Sequence, residues 1–134
     1  MTNGDEAKDD FKRAMVVTAH PDDAEYGCSG TVAKWYRLGW EVVYVLCTDG
    51  SKGTEDREIS SEKLAELRAT EQRAAGETLG LKTVEFLGYP DGYLEPTLDL
   101  RRDISRQIRK HRPDVLITIN PTRDLMSSGY IGHP

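Results

Sequence analysis

The sequence predicts an α/β fold in which three layers, helices on both sides of one parallel sheet, form a Rossmann-like domain. Four short apolar segments rich in β-branched residues alternate with three segments of helical spacing. Three of the apolar segments are nearly uninterrupted, which is typical of strands covered on both faces. Because strands that alternate with helices are joined by right-handed crossovers, we expect a parallel sheet, with the strands in the order 3-2-1-4.

The predicted elements follow each other without internal repeats. The expected strands are Ala14–Ala19, Glu41–Cys47, Thr83–Leu87 and Asp114–Ile119. The expected helices are Cys28–Leu38, Ser60–Leu79 and Thr97–His111. A glycine follows each of the first two helices and a proline lies shortly after the third, and both residue types commonly end helices.

Length and composition limit the class of protein. The 134 residues allow one domain, which we place at residues 13–134 behind a polar, flexible leader at residues 1–12. The net charge of −5 argues against a nucleic-acid binder, whose surface would be basic. No stretch approaches the roughly 18 apolar residues of a membrane-spanning helix. Two cysteines, and no apolar run in the leader, indicate a cytoplasmic protein.

Polar residues concentrate at one edge of the predicted sheet. In an open parallel sheet, ligands bind beyond the carboxyl ends of the strands. The segments that follow the four strands there are His20–Glu25, Thr48–Ser51, Gly88–Gly92 and Asn120–Asp124. The opposite edge receives only plain connections, so we expect an active site at the carboxyl edge.

The loop after the first strand contains the residues that best indicate a chemistry. His20 and an aspartate a few residues later are ligands suited to zinc or another divalent transition metal. Of Asp22 and Asp23, one would bind the metal and the other would act as a general base on the activated water. The competing interpretation is that one of these aspartates only caps the following helix.

Two further histidines could complete a metal site, since a catalytic zinc usually takes three protein ligands. His111 ends the third predicted helix and falls at the opposite edge, where we interpret it as a cation near a helix C-terminus. His133 follows the fourth strand and so lies on the expected side.

Several segments together resemble a known family, the zinc-dependent PIG-L/LmbE-like de-N-acetylases. Ala19–Glu25 with Gly27–Ala33 resembles the opening motif of that family. Later blocks of the family correspond to Thr48–Gly50, Leu67–Arg68 with Glu71, Leu87–Gly92 and the terminal Gly132–Pro134. The resemblance spans about residues 14–134.

This resemblance implies roles for individual residues. His20 and Asp23 would bind zinc, Asp22 would be the general base, and His133 would stabilise the oxyanion or act as an acid. The implied reaction removes an N-acetyl group from a GlcNAc-type amino sugar and gives acetate and a free amine. The family's third zinc ligand would fall beyond Pro134, which implies a domain truncated at its C-terminal end, with His133 as an alternative third ligand.

Arg68 and Asp91 each have two interpretations. Arg68 and Glu71 are spaced as an ion pair on one helix face. The resemblance instead suggests that Arg68 reaches toward the substrate or braces the metal loop. Asp91 lies between a proline and a glycine, which is typical of a turn, and its alternative role is to bind a substrate hydroxyl.

Two other functions remain open from the sequence. Gly27 and Gly30, near the start of the first helix, could approach a phosphate in a nucleotide-binding Rossmann-like module, although close packing of helix against strand explains them more simply. The chain could also be a non-catalytic, truncated remnant of the deacetylase. The expected partner is a small amino sugar, with no nucleic acid and no membrane span, and a homo-oligomer is compatible with the sequence.

Overall fold

The computed structural model describes residues 12–21, 23–52 and 58–120. In this part of the chain four strands and three helices alternate. They are β1 (Arg13–Thr18), α1 (Asp23–Arg37), β2 (Glu41–Thr48), α2 (Ser61–Leu79), β3 (Thr83–Tyr89), α3 (Leu98–His111) and β4 (Val115–Thr118). The predicted leader lies outside the described residues, apart from Lys12.

The four strands form one parallel sheet in the order β3-β2-β1-β4, which confirms the predicted topology. β1 and β2 occupy the centre, with Ala14 opposite Val42 and Thr18 opposite Leu46. β1 pairs with β2 on one side and with β4 on the other. The carboxyl end of β1 is therefore the point where the strand order reverses, the usual ligand site in such sheets.

The uninterrupted apolar runs of the central strands supply the cores of both faces, because successive side chains of a strand point to opposite sides. One core contains Ala14, Val16, Val42 and Tyr44, packed against α1 and α2. The other contains Met15, Val17, Val43, Val45 and Cys47, packed against Leu100 and Ile104 of α3. Two helices on one face and one on the other give the expected three layers.

The ends of the helices follow from local hydrogen bonding. Ser60 caps α2 by accepting a hydrogen bond from the backbone N–H of Lys63 at 3.1 Å. Thr97 caps α3 in the same way, with the N–H of Leu100 at 3.1 Å. Helix α1 begins at Asp23, five residues before the predicted start at Cys28, because the loop after β1 is only four residues long. Among the described residues, no helix combines the length and apolar character needed to cross a membrane.

Gly80→Ala is expected to destabilise the fold more than Gly39→Ala, its matched control. Both glycines have positive φ, 77° and 88°, so alanine should cost about 1–2 kcal/mol at either position. A Cβ at Gly80 would also lie 2.6 Å from the Tyr36 ring, whereas at Gly39, within the part of the chain that the structure describes, it would meet nothing within 4 Å. Moving the ring should add about 1 kcal/mol to the loss. Urea unfolding of both variants measures the difference, and equal losses would contradict it.

Cys47 is expected to react with thiol reagents much more slowly than Cys28. Burial raises the pKa of the Cys47 thiol to about 11, so little reactive thiolate exists near pH 8. Cys28 is only partly buried. Iodoacetamide followed by mass spectrometry should label Cys28 first and Cys47 only upon unfolding, and Cys28→Ser should remove the early label. Equal labelling rates in the folded wild type would contradict the burial of Cys47.

Candidate active site

His20 and Asp23 lie together at the carboxyl end of β1. His20 comes two residues after the last residue of β1, and Asp23 is the first residue of α1. The Asp23 carboxylate accepts a hydrogen bond from the backbone N–H of His20 at 3.0 Å, which closes the turn between strand and helix. The same carboxylate oxygen, Oδ2, lies 3.4 Å from the His20 ring nitrogen Nδ1.

This pair of atoms has a separation suited to a metal ion. Zinc binds imidazole nitrogen and carboxylate oxygen at about 2.0–2.2 Å, so two ligand atoms of a tetrahedral site lie about 3.3–3.5 Å apart. The distance of 3.4 Å between Nδ1 and Oδ2 falls in this range. Both side chains are partly buried, with 17% and 20% of their surface exposed, so a small ion could reach them. The residues present therefore fit the metal that the sequence predicts.

Pro21 lies between His20 and Asp23 and is buried. It packs against Gly50 in the loop after β2. A Cβ built on Gly50 would lie 3.1 Å from Cδ of Pro21 and 3.5 Å from Cγ of Arg68. Gly50 has a φ of 68°, which a side chain would strain. Glycine at position 50 therefore allows the loop after β2 to approach Pro21 without strain.

Asp91, in the loop after β3, contacts the other ring nitrogen of His20. Its Oδ1 lies 2.8 Å from Nε2 of His20, although the two residues are 71 positions apart. Its Oδ2 accepts a hydrogen bond from the backbone N–H of Lys52 at 3.0 Å. Only 9% of the Asp91 side chain is exposed. Binding of a substrate hydroxyl by Asp91 stays a prediction. The same carboxylate also contacts the His20 ring and the backbone of Lys52.

Asp49 joins the loops after β2 and β3. Its Oδ1 accepts hydrogen bonds from the backbone N–H groups of Ser51 at 3.0 Å and Asp91 at 3.3 Å. Burial alone would raise the pKa of Asp49, but the hydrogen bonds from Ser51 and Asp91 outweigh it and hold the pKa below its usual value. Asp49 therefore stabilises the backbone that carries Asp91.

The electrostatic environment of His20 is dominated by carboxylates. The pKa of His20 is raised, first by the hydrogen bond to Asp23; burial opposes this shift, and the negative charge of Asp91 adds to it. Such a cluster of negative charge favours a positive group at the imidazole, either a proton or a metal ion.

Arg68 and Glu71 form the ion pair that their spacing predicts. Nη1 of Arg68 lies 3.4 Å from Oε2 of Glu71, on α2. The Arg68 side chain is 29% exposed, and its position beside Gly50 places it next to the loop that carries Asp49. Its role in binding substrate stays a prediction.

A family model described as PIG-L: GlcNAc-PI de-N-acetylase matches residues 15–134. The chain belongs to the PIG-L family. This confirms the resemblance inferred from the loop after β1 and the later blocks.

Individual PIG-L relatives extend the comparison. Diacetylchitobiose deacetylase of Thermococcus kodakarensis is 38% identical over 125 residues, which cover 93% of this chain and 45% of that protein. The 1D-myo-inositol 2-acetamido-2-deoxy-alpha-D-glucopyranoside deacetylase of Kineococcus radiotolerans is 31% identical over 160 residues, covering 96% of this chain and 43% of that protein. N,N'-diacetylchitobiose deacetylase from Pyrococcus horikoshii, solved with its inhibitor MPG, superposes with a TM-score of 0.84 at 30% identity, covering 95% of this chain and 54% of that one. This chain thus spans about half the length of these relatives.

The glycines of the PIG-L opening motif do not form a phosphate loop. Gly27 and Gly30 lie inside α1, and a Cβ at either position would meet no atom of the described residues within 4 Å. The expected close packing of helix against strand at these glycines is therefore wrong. A turn that cradles phosphate is equally absent at Gly27–Gly30, because α1 already begins at Asp23 and both residues are helical.

Three other predicted residues are Asp22, His133 and His111. Asp22 and His133 are outside the described residues. Within residues 12–21, 23–52 and 58–120, no three His, Cys, Asp or Glu side chains are grouped as a metal set. His111 ends α3, where burial lowers its pKa and so disfavours the cation that we expected there.

A groove opens directly beside Asp23. It has a volume of about 220 Å³ and lies between the start of α1 and the residues that follow β4. Its lining includes Thr18, Asp23, Cys28 and Asn120. A substrate group in this groove would therefore contact Asp23, at the point where the strand order reverses.

Asp49→Ala is expected to lower the free energy of unfolding by about 1–3 kcal/mol at pH 7, because two backbone N–H groups lose a charged acceptor. Asp49→Asn should lose less. Since the folded pKa of Asp49 is lowered, the advantage of wild type over Asp49→Asn exists above about pH 4 and disappears as the pH falls through the folded pKa. Urea unfolding between pH 3 and 7 measures this. The exposed control Glu66→Gln should show little change, and a pH-independent difference for Asp49→Asn would contradict the assignment.

Proposed function

We propose that this chain carries the metal-binding and water-activating part of a hydrolase that removes an N-acetyl group from a GlcNAc-type amino sugar. The observation that carries the proposal is the pair of candidate ligand atoms, Nδ1 of His20 and Oδ2 of Asp23, 3.4 Å apart. Their position at the reversal of strand order supports it. Membership of the PIG-L family and the deacetylase names of the relatives support the same reaction.

The metal in this proposal is zinc or another divalent transition ion held by His20 and Asp23. When bound, the ion would act as a Lewis acid that polarises the amide carbonyl and lowers the pKa of a water molecule. His20 and Asp23 would contribute one neutral and one anionic ligand, and the nearly buried carboxylate of Asp91 beside His20 would help to stabilise the positive charge.

The remaining roles belong to residues of the chain itself. Asp22 would accept a proton from the attacking water as the general base. His133 would stabilise the tetrahedral oxyanion or pass a proton to the leaving amine. Arg68 would bind the sugar from the side of Gly50, together with Asp91. The products are acetate and the free amine.

The setting of this activity is part of the proposal. Neither Cys28 nor Cys47 forms a disulfide, which suits a reducing cytoplasm. The proposed partner is a small amino sugar, and a homo-oligomer remains compatible with it. A nucleotide-binding module has less support, because Gly27 and Gly30 are helical.

Three substitutions separate metal binding from catalysis. His20→Ala and Asp23→Ala should each weaken zinc binding, while Asp22→Asn should retain zinc and lose about 10²–10⁴-fold in the rate of amine release. Zinc content by mass spectrometry and release of acetate from N-acetylated amino sugars measure the two properties. The exposed Asp99→Asn is the control for both. The assays use this chain and, where the reading frame continues beyond Pro134, its longer product.

Three outcomes would contradict the proposal. The first is zinc binding that is unchanged in His20→Ala and Asp23→Ala. The second is a melting temperature that rises with nucleotide and not with zinc, which would favour the nucleotide-binding module. The third is zinc binding with no hydrolysis by either the chain or its longer product, which would favour the non-catalytic remnant.

A further inference from the structure

The two ring nitrogens of His20 face two different carboxylates. Nδ1 lies 3.4 Å from Oδ2 of Asp23, the separation suited to a shared cation. Nε2 lies 2.8 Å from Oδ1 of Asp91, a hydrogen-bond distance. A neutral imidazole carries a single proton, so the carboxylate that accepts this proton decides which nitrogen can bind a metal.

The contacts of Asp91 fix the direction of its hydrogen bond to His20. Its Oδ2 faces the backbone N–H of Lys52, which can only donate. An ionised carboxylate only accepts, so Oδ1 requires a donor at Nε2 of His20. With the proton on Nε2, Nδ1 presents its lone pair on the side of Asp23.

The position of Asp91 is itself fixed by the neighbouring loop. Its backbone N–H donates to Asp49 at 3.3 Å, and its side chain is nearly buried. The loops after β1, β2 and β3 therefore meet in one network of hydrogen bonds that ends at the His20 ring. Carboxylates that accept the second N–H of a metal-binding histidine commonly orient the ring in this way.

We propose that Asp91 is a positioning residue that holds His20 in the Nε2–H tautomer and leaves Nδ1 available to a cation shared with Asp23. The metal part of this inference rests on the proposed function. The tautomer part does not, because it concerns the metal-free chain alone.

Asp91→Asn is the most direct test, because asparagine keeps the shape of the side chain and reverses the direction of its hydrogen bond with Nε2 of His20. The amide oxygen must face the N–H of Lys52, which leaves the NH₂ group against Nε2 of His20. Nε2 then has to accept, and the proton moves to Nδ1, the nitrogen intended for the metal. Asp91→Ala removes both contacts, so residue 91 no longer imposes a tautomer on the ring.

The metal affinities of Asp91→Asn and Asp91→Ala, compared with each other, distinguish control of the His20 tautomer from simple support of the loop. Tautomer control predicts that Asp91→Asn loses about 10–100-fold in affinity for Co²⁺ or Zn²⁺, and that Asp91→Ala loses less. Simple support predicts the reverse order, because alanine removes more contacts. Titration followed by Co²⁺ absorption measures the affinities, with Asp99→Asn as the exposed control.

Nitrogen-15 NMR of the metal-free protein, at a pH where the imidazole is neutral, reads the tautomer directly. The His20 signals are assigned by their loss in His20→Gln. We expect Nε2–H in wild type and Nδ1–H in Asp91→Asn. An Nδ1–H tautomer in wild type, an unchanged tautomer in Asp91→Asn, or weaker metal binding by Asp91→Ala than by Asp91→Asn would overturn the proposal.

The two readouts also separate this inference from the proposed function. If wild type binds neither ion while NMR shows the expected tautomers, the metal-dependent hydrolase fails and the positioning role of Asp91 stands. If wild type binds zinc through His20 but the tautomer is Nδ1–H, the positioning role fails and the hydrolase proposal stands.

Discussion

The hydrogen bond from the backbone N–H of His20 to the carboxylate of Asp23 is the contact on which the candidate site depends. It closes a turn in which Pro21 already restricts the backbone and is buried against the loop after β2. The turn brings a ring nitrogen and a carboxylate oxygen within 3.4 Å of each other. A strand, a four-residue loop and the start of a helix thus supply the candidate ligand pair, and Asp91 contacts the other ring nitrogen of His20 from a distant part of the sequence.

The parallel sheet supplies the rest of the site. Because all four strands run in the same direction, the loops after β1, β2 and β3 meet at one edge. Asp91 reaches His20 from the loop after β3, although the two are distant in sequence, and Asp49, in the loop after β2, holds the backbone of Asp91. The hydrogen bond to Asp23 and the negative charge of Asp91 raise the pKa of the imidazole and favour a cation beside it. Residues from three loops therefore contribute to a site that favours positive charge.

The fold was predictable because its signals are local. Apolar runs, helix caps and the alternation of strands with helices predicted the element order, and the order of the strands in the sheet was confirmed. The proximity of His20 and Asp23 was predictable for the same reason, since they are three residues apart. The ion pair between Arg68 and Glu71 also follows from spacing along one helix.

The predictions that failed required information that local patterns do not contain. The predicted start of α1 at Cys28 is five residues too late, since the helix already begins at Asp23. The pKa of His111 is lowered by burial, which spacing along the chain does not determine. The contact between His20 and Asp91 spans 71 residues and depends on how two loops meet at the sheet edge. The proline and glycine around Asp91 indicated a turn, but not its partner.

The central claim is that His20 and Asp23 share a cation. X-ray absorption at the zinc edge of the metal-loaded chain tests it most directly. We expect imidazole nitrogen and carboxylate oxygen at about 2.0–2.2 Å from the metal, and the loss of one imidazole in His20→Gln. A spectrum without imidazole, or one that is identical in wild type and His20→Gln, would contradict the account.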